Sequence, residues 1–288
     1  MSQFQKSNKY SSIWVSHSSI GDFLKCHRAY FLKNIYKNPK TKRKIGIVNP
    51  ALSLGSAVHE VIENLANYKS EERMDVPILD NFENVWEKYR GEKGGFFDQN
   101  EENNIKERGI EMIKRVKENI KPLLQKTVKL KNSPNGMLPN FILSDQDNII
   151  LCGKIDWLIW KPEDDSLHIL DFKTGKNEES EDSLQLPIYQ LLLKSLQKRK
   201  VTGASYWYLD RDNEPKEKEL TNIDDSYEKV IEVAKKIKEI RESGIYKCPN
   251  GERGCYACIP FEMVLRGEAR YIGAGEWQDL YINKICCY

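Results

Sequence analysis

The chain has 288 residues, of which 40% are hydrophobic and 31% charged, the ordinary composition of a soluble globular protein. Its net charge of +2 excludes a whole-molecule basic field of the kind that by itself announces nucleic acid. No run approaches 18 consecutive apolar residues, which excludes a membrane-spanning helix, and the opening MSQFQKSNKYSS lacks the apolar region of a secretory signal. A cytoplasmic protein is expected, and its seven cysteines, an odd number, read as metal ligands or buried thiols rather than disulfides.

SHSSIGDFLKCHRAYFLKN predicts a first helix over 16–34, with Ser18 or Ser19 as N-cap and Ile20, Phe23, Leu24 and Phe31 on its apolar face. KNPKTKRK follows as a loop in which Lys37, Lys40, Lys42, Arg43 and Lys44 form either a solvated surface or a grip on phosphates. LSLGSAVHEVIENLANY predicts a second helix over 52–68, its buried stripe running through Leu54, Val58, Val61, Ile62 and Leu65. Residues 70 to about 125 are charged and helical, with Lys106, Arg108, Lys114, Arg115 and Lys117 on one helix, and the loop RGEKGGFFDQN breaks them. The stretch 70–140 is expected as a helical insertion within one domain spanning 1–288.

A strand-rich core is predicted from Asn140 to Asp210, interrupted by a helix from about Leu184 to Gln197. A final helix, SYEKVIEVAKKIKEIRES, stops at Gly244 ahead of a cysteine-bearing tail. Strands interleaved with helices predict an α/β chain.

Within the core, NIILCGKIDWLIW (148–160) reads as one central strand, KPEDDS as a turn and LHILDFKTG as the return strand. If Trp160 pairs with Leu167, the antiparallel count sets Asp156 opposite Asp171. Lys173, two residues on, shares that face. Two carboxylates roughly 5 Å apart repel unless a positive group lies between them. Either Lys173 neutralises one of them in a cross-strand charge cluster, or they hold a divalent cation of the kind that takes oxygen ligands. The apolar setting favours the cation, because charges are seldom buried without a partner or metal.

GKID followed by LDFKTGK resembles the catalytic core of the PD-(D/E)XK nuclease superfamily, in particular its RecB-like branch, with Asp156 in the first motif and Asp171-Phe172-Lys173 as D-x-K. GSAVHE resembles the branch's G-x-x-x-H helix and QLPIYQ its Q-x-x-x-Y helix, which implies a histidine metal ligand at His59 and a supporting pair at Gln185 and Tyr189. The resemblance spans about Ile20 to Pro260 and is weakest over 70–140. It implies a restriction-endonuclease-like core, a central mixed sheet flanked by helices. It also implies Mg²⁺ or Mn²⁺ held by His59, Asp156, Asp171 and the carbonyl of Phe172, and DNA as substrate, with the 37–44 cations gripping its backbone. Phe96, Phe97 or Trp207 could stack on unpaired bases, although core or loop packing accounts for each.

KCPNGERGCYAC sets Cys248, Cys255 and Cys258 within eleven residues, and Cys255-x-x-Cys258 is a ligand spacing. One early cysteine, Cys26, plus three late ones resembles the iron–sulfur nucleases of this branch, AddB-type and CRISPR-associated. That resemblance implies a [4Fe–4S] cluster joining the two ends, 16–34 and 245–262. The pattern departs from the family's, because Cys248 precedes the pair by seven positions; zinc or no metal is the alternative. Cys152 reads as a small core residue and Cys286–Cys287 as unligated. With no phosphate-binding G-x-x-x-x-G-K-[ST] loop, the chain carries no evident ATPase and is expected to act alone or beside a separate helicase or integrase. A non-catalytic DNA-binding scaffold of the same fold and an RNA-directed nuclease are the alternatives to a DNA exonuclease of repair, recombination or spacer processing.

Overall fold

The computed structural model describes residues 12–131 and 136–283. The opening MSQFQKSNKYS and the Cys286–Cys287 pair lie outside the described residues. Strand β1 (Ile13–Val15) leads into α1 (His17–Lys25) and α2 (His27–Tyr30). The predicted first helix is thus two, and its N-cap is Ser16, whose side chain accepts from Ser19 N in a capping box, not Ser18 or Ser19. The break is Cys26, which turns to extended backbone (φ −169°, ψ 119°) and caps α2 by accepting from Ala29 N. Helical dihedrals there would carry the thiol along the helix surface; the extended turn aims it elsewhere.

β2 (Lys44–Ile47) precedes α3 (Pro50–Asn64), which Asn49 caps, with Pro50 in the first turn. α4 (Ile78–Trp86) and α5 (Gln99–Glu118) follow, and their apolar faces pack with that of α3. The expected loop between them contains a short 3₁₀ turn, Gly91–Gly94, closed by Gly95 at φ +89°. Phe96 is then buried against Trp86 and cannot stack on a base.

The run 148–160 is two strands in two sheets rather than one. β3 (Asn140–Ser144) pairs antiparallel with β4 (Ile149–Cys152), which also pairs parallel with β1. The chain then leaves that sheet through Gly153–Asp156, where a Cβ on Gly153 would meet Leu192 at 2.9 Å. It enters a second sheet as β5 (Trp157–Lys161), paired antiparallel with β6 (Ser166–Lys173). Both halves are apolar and buried, each in its own sheet, and the Gly153-Lys154-Ile155-Asp156 stretch between them is where the chain crosses.

α6 (Gln185–Leu196) returns the chain to β7 (Lys200–Tyr208), which lies parallel beside β6, and β8 (Lys216–Lys218) closes the order β5-β6-β7-β8. α7 (Ile223–Ser243) ends at Gly244, φ +67°, as its glycine predicts. α8 (Ile259–Leu265), β9 (Arg270–Ala274) and β10 (Gln278–Ile282) complete the chain, and β10 pairs with both β9 and β2.

Alternation along β6 divides the core. Leu167 and Ile169 join a cluster built on α1, α6 and α7, whereas Leu170 and Phe172 join one built on α3, α4 and α5. The second sheet is therefore covered on both faces, a mixed α/β arrangement of the expected class. Among the described residues no helix is long and apolar enough to cross a membrane.

Candidate active site

Trp160 pairs with Leu167 and Trp157 with Leu170, the expected register, so one further step sets Asp156 at the position facing Asp171. Asp156 lies immediately before the start of β5, and its Oδ2 accepts from the backbone N–H of Phe172 at 3.0 Å. Helix α3 supplies His59, whose Nδ1 lies 3.3 Å from that same Oδ2. One turn further along α3, Glu63 adds a carboxylate oxygen 3.9 Å from Nδ1. His59, Glu63 and Asp156 each offer a ligand atom, all within 4.8 Å of one another.

Asp171, only 2% exposed, belongs to an adjoining network. Lys173 Nζ lies 2.8 Å from its Oδ1 and 3.1 Å from Glu179, and also donates to Gln185 Oε1. Gln185 Nε2 donates to Asp171 Oδ2 at 2.8 Å, and the Tyr189 hydroxyl donates to the same oxygen at 3.1 Å. Gln185 and Tyr189 stand one turn apart on α6, so a single helix face steadies both ends of the Asp171–Lys173 pair.

These contacts set the charges. Burial, and then the neighbouring Asp156 carboxylate, push the Asp171 pKa up to about 7 against the pull of Lys173 and His59. Burial opposes charge on Asp156 too, but His59 and the Phe172 N–H hold it below the usual carboxylate range. Burial likewise works against charge on His59 and Lys173. Asp156, Asp171 and Glu63 nevertheless raise the histidine, and Asp171 with Glu179 raises the lysine. One carboxylate held ionised beside another that resists ionisation is a site that gains from a cation.

The donor set suits a hard divalent ion: carboxylates, one imidazole and, next to Asp171, the Phe172 carbonyl. His59 and Asp156 thus form one contact pair, and Asp171, Lys173, Gln185 and Tyr189 one hydrogen-bonded network beside it. Residues expected from four separate stretches come to adjoin, although Asp171 is not among the three whose ligand atoms cluster. Glu63 and Glu179 were not anticipated. Glu63 carried a local signal, since it follows His59 by four positions on the same helix. Glu179 lies in the loop after β6, where no periodicity marks it.

The 37–44 cations sit apart in the topology. Lys37, Lys40 and Lys42 are exposed, but Arg43 is half-buried and Lys44 is in β2 rather than the loop, where burial draws its ammonium down. β2 belongs to the sheet with β9 and β10, not to the sheet that carries Asp171. The α5 cations Arg108 and Arg115 are engaged internally, with Asp210 and with the Leu209 carbonyl. Trp207 is fully buried and cannot meet a base.

A second centre joins the chain's two ends. Cys26, Cys248, Cys255 and Cys258 are all buried, with their sulfurs within 4.8 Å of one another. Backbone N–H groups of Ala29, Asn250 and Cys255 donate to the sulfurs of Cys26, Cys248 and Cys258. Donors already aimed at sulfur are what thiolates on a metal centre require. The Cys258 sulfur lies 3.8 Å from those of both Cys248 and Cys255, beyond any disulfide. Cys152 is half-buried; its thiol contacts the Val15 carbonyl and is pushed up to about 11 by burial.

No curated protein matches the chain. A family profile, that of the PD-(D/E)XK nuclease superfamily, matches residues 14–260, which include every candidate site residue and Cys26, Cys152, Cys248, Cys255 and Cys258. With its paired carboxylates, D-x-K lysine and mixed α/β core in place, the chain belongs to the PD-(D/E)XK nuclease superfamily.

Proposed function

We propose that the protein is a Mg²⁺- or Mn²⁺-dependent DNA nuclease of the RecB-like branch, acting on single-stranded or end-containing DNA as an exonuclease. What carries this reading is the junction of Asp156, held by His59, with Asp171 and Lys173 on one edge of the β5–β6 hairpin. His59, Asp156, Asp171 and the Phe172 carbonyl would hold the ion, with Glu63 beside them. An ion held there would polarise a phosphate and lower the pKa of an attacking water. Lys173, kept charged by Asp171 and Glu179, stabilises negative charge as it builds on the phosphate. Gln185 and Tyr189 hold Asp171 in place so that its oxygens stay aimed at the site. The chain would work in repair, recombination or spacer processing, beside a separate helicase or integrase.

In this reading Cys26, Cys248, Cys255 and Cys258 ligate a [4Fe–4S] cluster that ties α1–α2 to the C-terminal segment. A specific observation favours zinc as the second reading. Four sulfurs about 2.3 Å from one ion stand about 3.8 Å apart, the spacing Cys258 keeps from two neighbours. A cubane spreads its cysteines wider. Metal analysis with a visible spectrum separates the two, because iron–sulfur protein is brown and zinc protein colourless.

The nuclease reading is tested with 5′- and 3′-labelled single-stranded and duplex DNA in Mn²⁺, comparing wild type with Asp171→Ala and Lys173→Ala. Cleavage by wild type alone, with both variants folded, supports it, and the label pattern reports polarity. A folded, metal-loaded wild type that cuts no DNA but cuts RNA, or only binds DNA, overturns it in favour of an RNA nuclease or a scaffold.

A further inference from the structure

One ion pair borders the four-cysteine centre and belongs to neither its ligand set nor the catalytic network. Arg28, two residues after Cys26 on α2, and Glu262, four after Cys258 on α8, are both half-buried and meet at 2.9 Å. The other arm of the guanidinium donates to the Gly251 carbonyl at 3.1 Å, in the stretch between Cys248 and Cys255. The arm that meets Glu262 also reaches the Glu252 carbonyl at 3.5 Å. From the N-terminal side of the centre, Arg28 therefore grips both of its C-terminal flanks.

Glu262 is a carboxylate set close to sulfur. A Cβ on Gly254, whose φ of +75° suits glycine, would meet Glu262 Oε2 at 3.2 Å and Cys258 Sγ at 3.3 Å, so carboxylate and sulfur border the same point. Cysteines bind metal as thiolates, and four of them leave a loaded centre negative whether it holds zinc or an iron–sulfur cluster. A bare carboxylate beside that charge would oppose loading by repulsion, which the protein interior strengthens. Arg28 answers this, because its guanidinium interacts electrostatically with Cys248 and Cys258 as well as with Glu262. Arg266 is the weaker partner of Glu262, 3.9 Å from its Oε2, half exposed and paired more closely with Glu268.

We infer that Arg28 is a positioning residue of the cysteine centre: it holds the 251–252 turn and α8 against the sulfurs and cancels the Glu262 carboxylate, so that four thiolates can form beside it. This rests on the metal-centre reading and adds the counter-charge on which loading depends.

Metal release at neutral pH tests this on the full chain, after its iron and zinc have been measured. An excess of a chromogenic zinc chelator, or loss of visible absorbance in EDTA without oxygen, follows the release. Arg28→Gln leaves Glu262 bare and releases metal about ten- to a hundredfold faster, the usual cost of losing a group that supports metal ligands. Glu262→Gln removes the carboxylate, keeps an acceptor for Arg28 and releases metal no faster than wild type. Arg28→Gln/Glu262→Gln returns most of the way to wild type, because the charge that needed cancelling is gone. A double variant as fast as Arg28→Gln shows a strut without a charge role. That result, or wild-type release from Arg28→Gln, overturns the inference and leaves the metal centre standing. If Arg28→Gln does not fold by circular dichroism, Glu262→Gln decides: unchanged or slower release supports the inference and faster release overturns it. A wild-type chain that holds no metal and takes up neither Zn²⁺ nor iron and sulfide sinks the metal-centre reading, and the inference with it.

Discussion

Replacing Asp171 by Asn is expected to make the metal-free protein more stable at pH 8 while abolishing cleavage. The Asp171 carboxyl, buried among Asp156, Lys173, Gln185 and Tyr189, titrates at about 7 rather than 3.8. A carboxyl whose folded pKa lies above its unfolded value holds its proton more tightly when folded. Its contribution to stability is therefore intact below about pH 4 and is lost as pH rises through 7. Roughly three pH units at 1.36 kcal/mol each make the ionised carboxylate cost about 4 kcal/mol in the absence of metal. Asparagine removes that charge but must bury an amide and leaves Lys173 with only Glu179, which offsets about half of the gain. A net stabilisation of about 2 kcal/mol at pH 8 remains, shrinking towards zero or below at pH 4. Urea unfolding in EDTA at pH 4, 6 and 8 measures the difference; titrating groups away from the site, common to both proteins, cancel. Added Mn²⁺ should stabilise wild type and leave the variant nearly unmoved. A variant no more stable than wild type at pH 8, or a difference independent of pH, would refute the argument that Asp171 is a destabilised carboxylate awaiting a cation.

Glu179→Gln should slow hydrolysis on the order of tenfold, because Lys173 loses one of its two anionic partners. The lysine pKa then falls, so the alkaline limb of the pH–rate profile moves to lower pH; an unmoved limb would separate Glu179 from Lys173 function. On the proposed metal-centre reading, Cys258→Ala should abolish metal binding by the four cysteines and lower the melting temperature, since metal binding there would be folding energy. Metal analysis and limited proteolysis read this out, with new cuts expected between Gly244 and Pro260. Gly109→Ala should destabilise by about 1–3 kcal/mol, because the new Cβ would stand 2.4 Å from Phe82 Cζ inside the α3–α4–α5 cluster. Circular dichroism melts check it.

The β5–β6 register was legible from residue order because period-2 alternation and a short turn leave one way to bury Leu158, Leu167 and Ile169 together. That same count puts Asp156 across from Asp171. The α3 stripe was legible for the corresponding reason at period 3.6, the α6 and α7 segments were legible as helices, and Gly244 marked its own helix end. Local pattern failed where tertiary context supplied a second burial partner. The run 148–160 divides between two sheets at Gly153–Asp156, and a short polar interruption does not by itself tell a crossing between sheets from a continuing strand. Cys26 breaks a helix that its neighbours' periodicity supports, because its sulfur turns towards cysteines more than 220 positions away. Trp207 and Phe96 are interior, although aromatic character alone suited a base-stacking surface equally well.

Residue order by itself determined the hairpin and the amphipathic helices through short-range periodicity, and it carried the D-x-K pair through its resemblance to the nuclease motif. Only the tertiary structure decided that Glu63 and Glu179 complete the site, and that four distant thiols share one buried centre. It also decided that Arg108 and Arg115 serve the interior rather than the solvent. Those outcomes depend on which surfaces α3, α5 and the 174–183 loop present to one another, and spacing within a single segment carries no information about that.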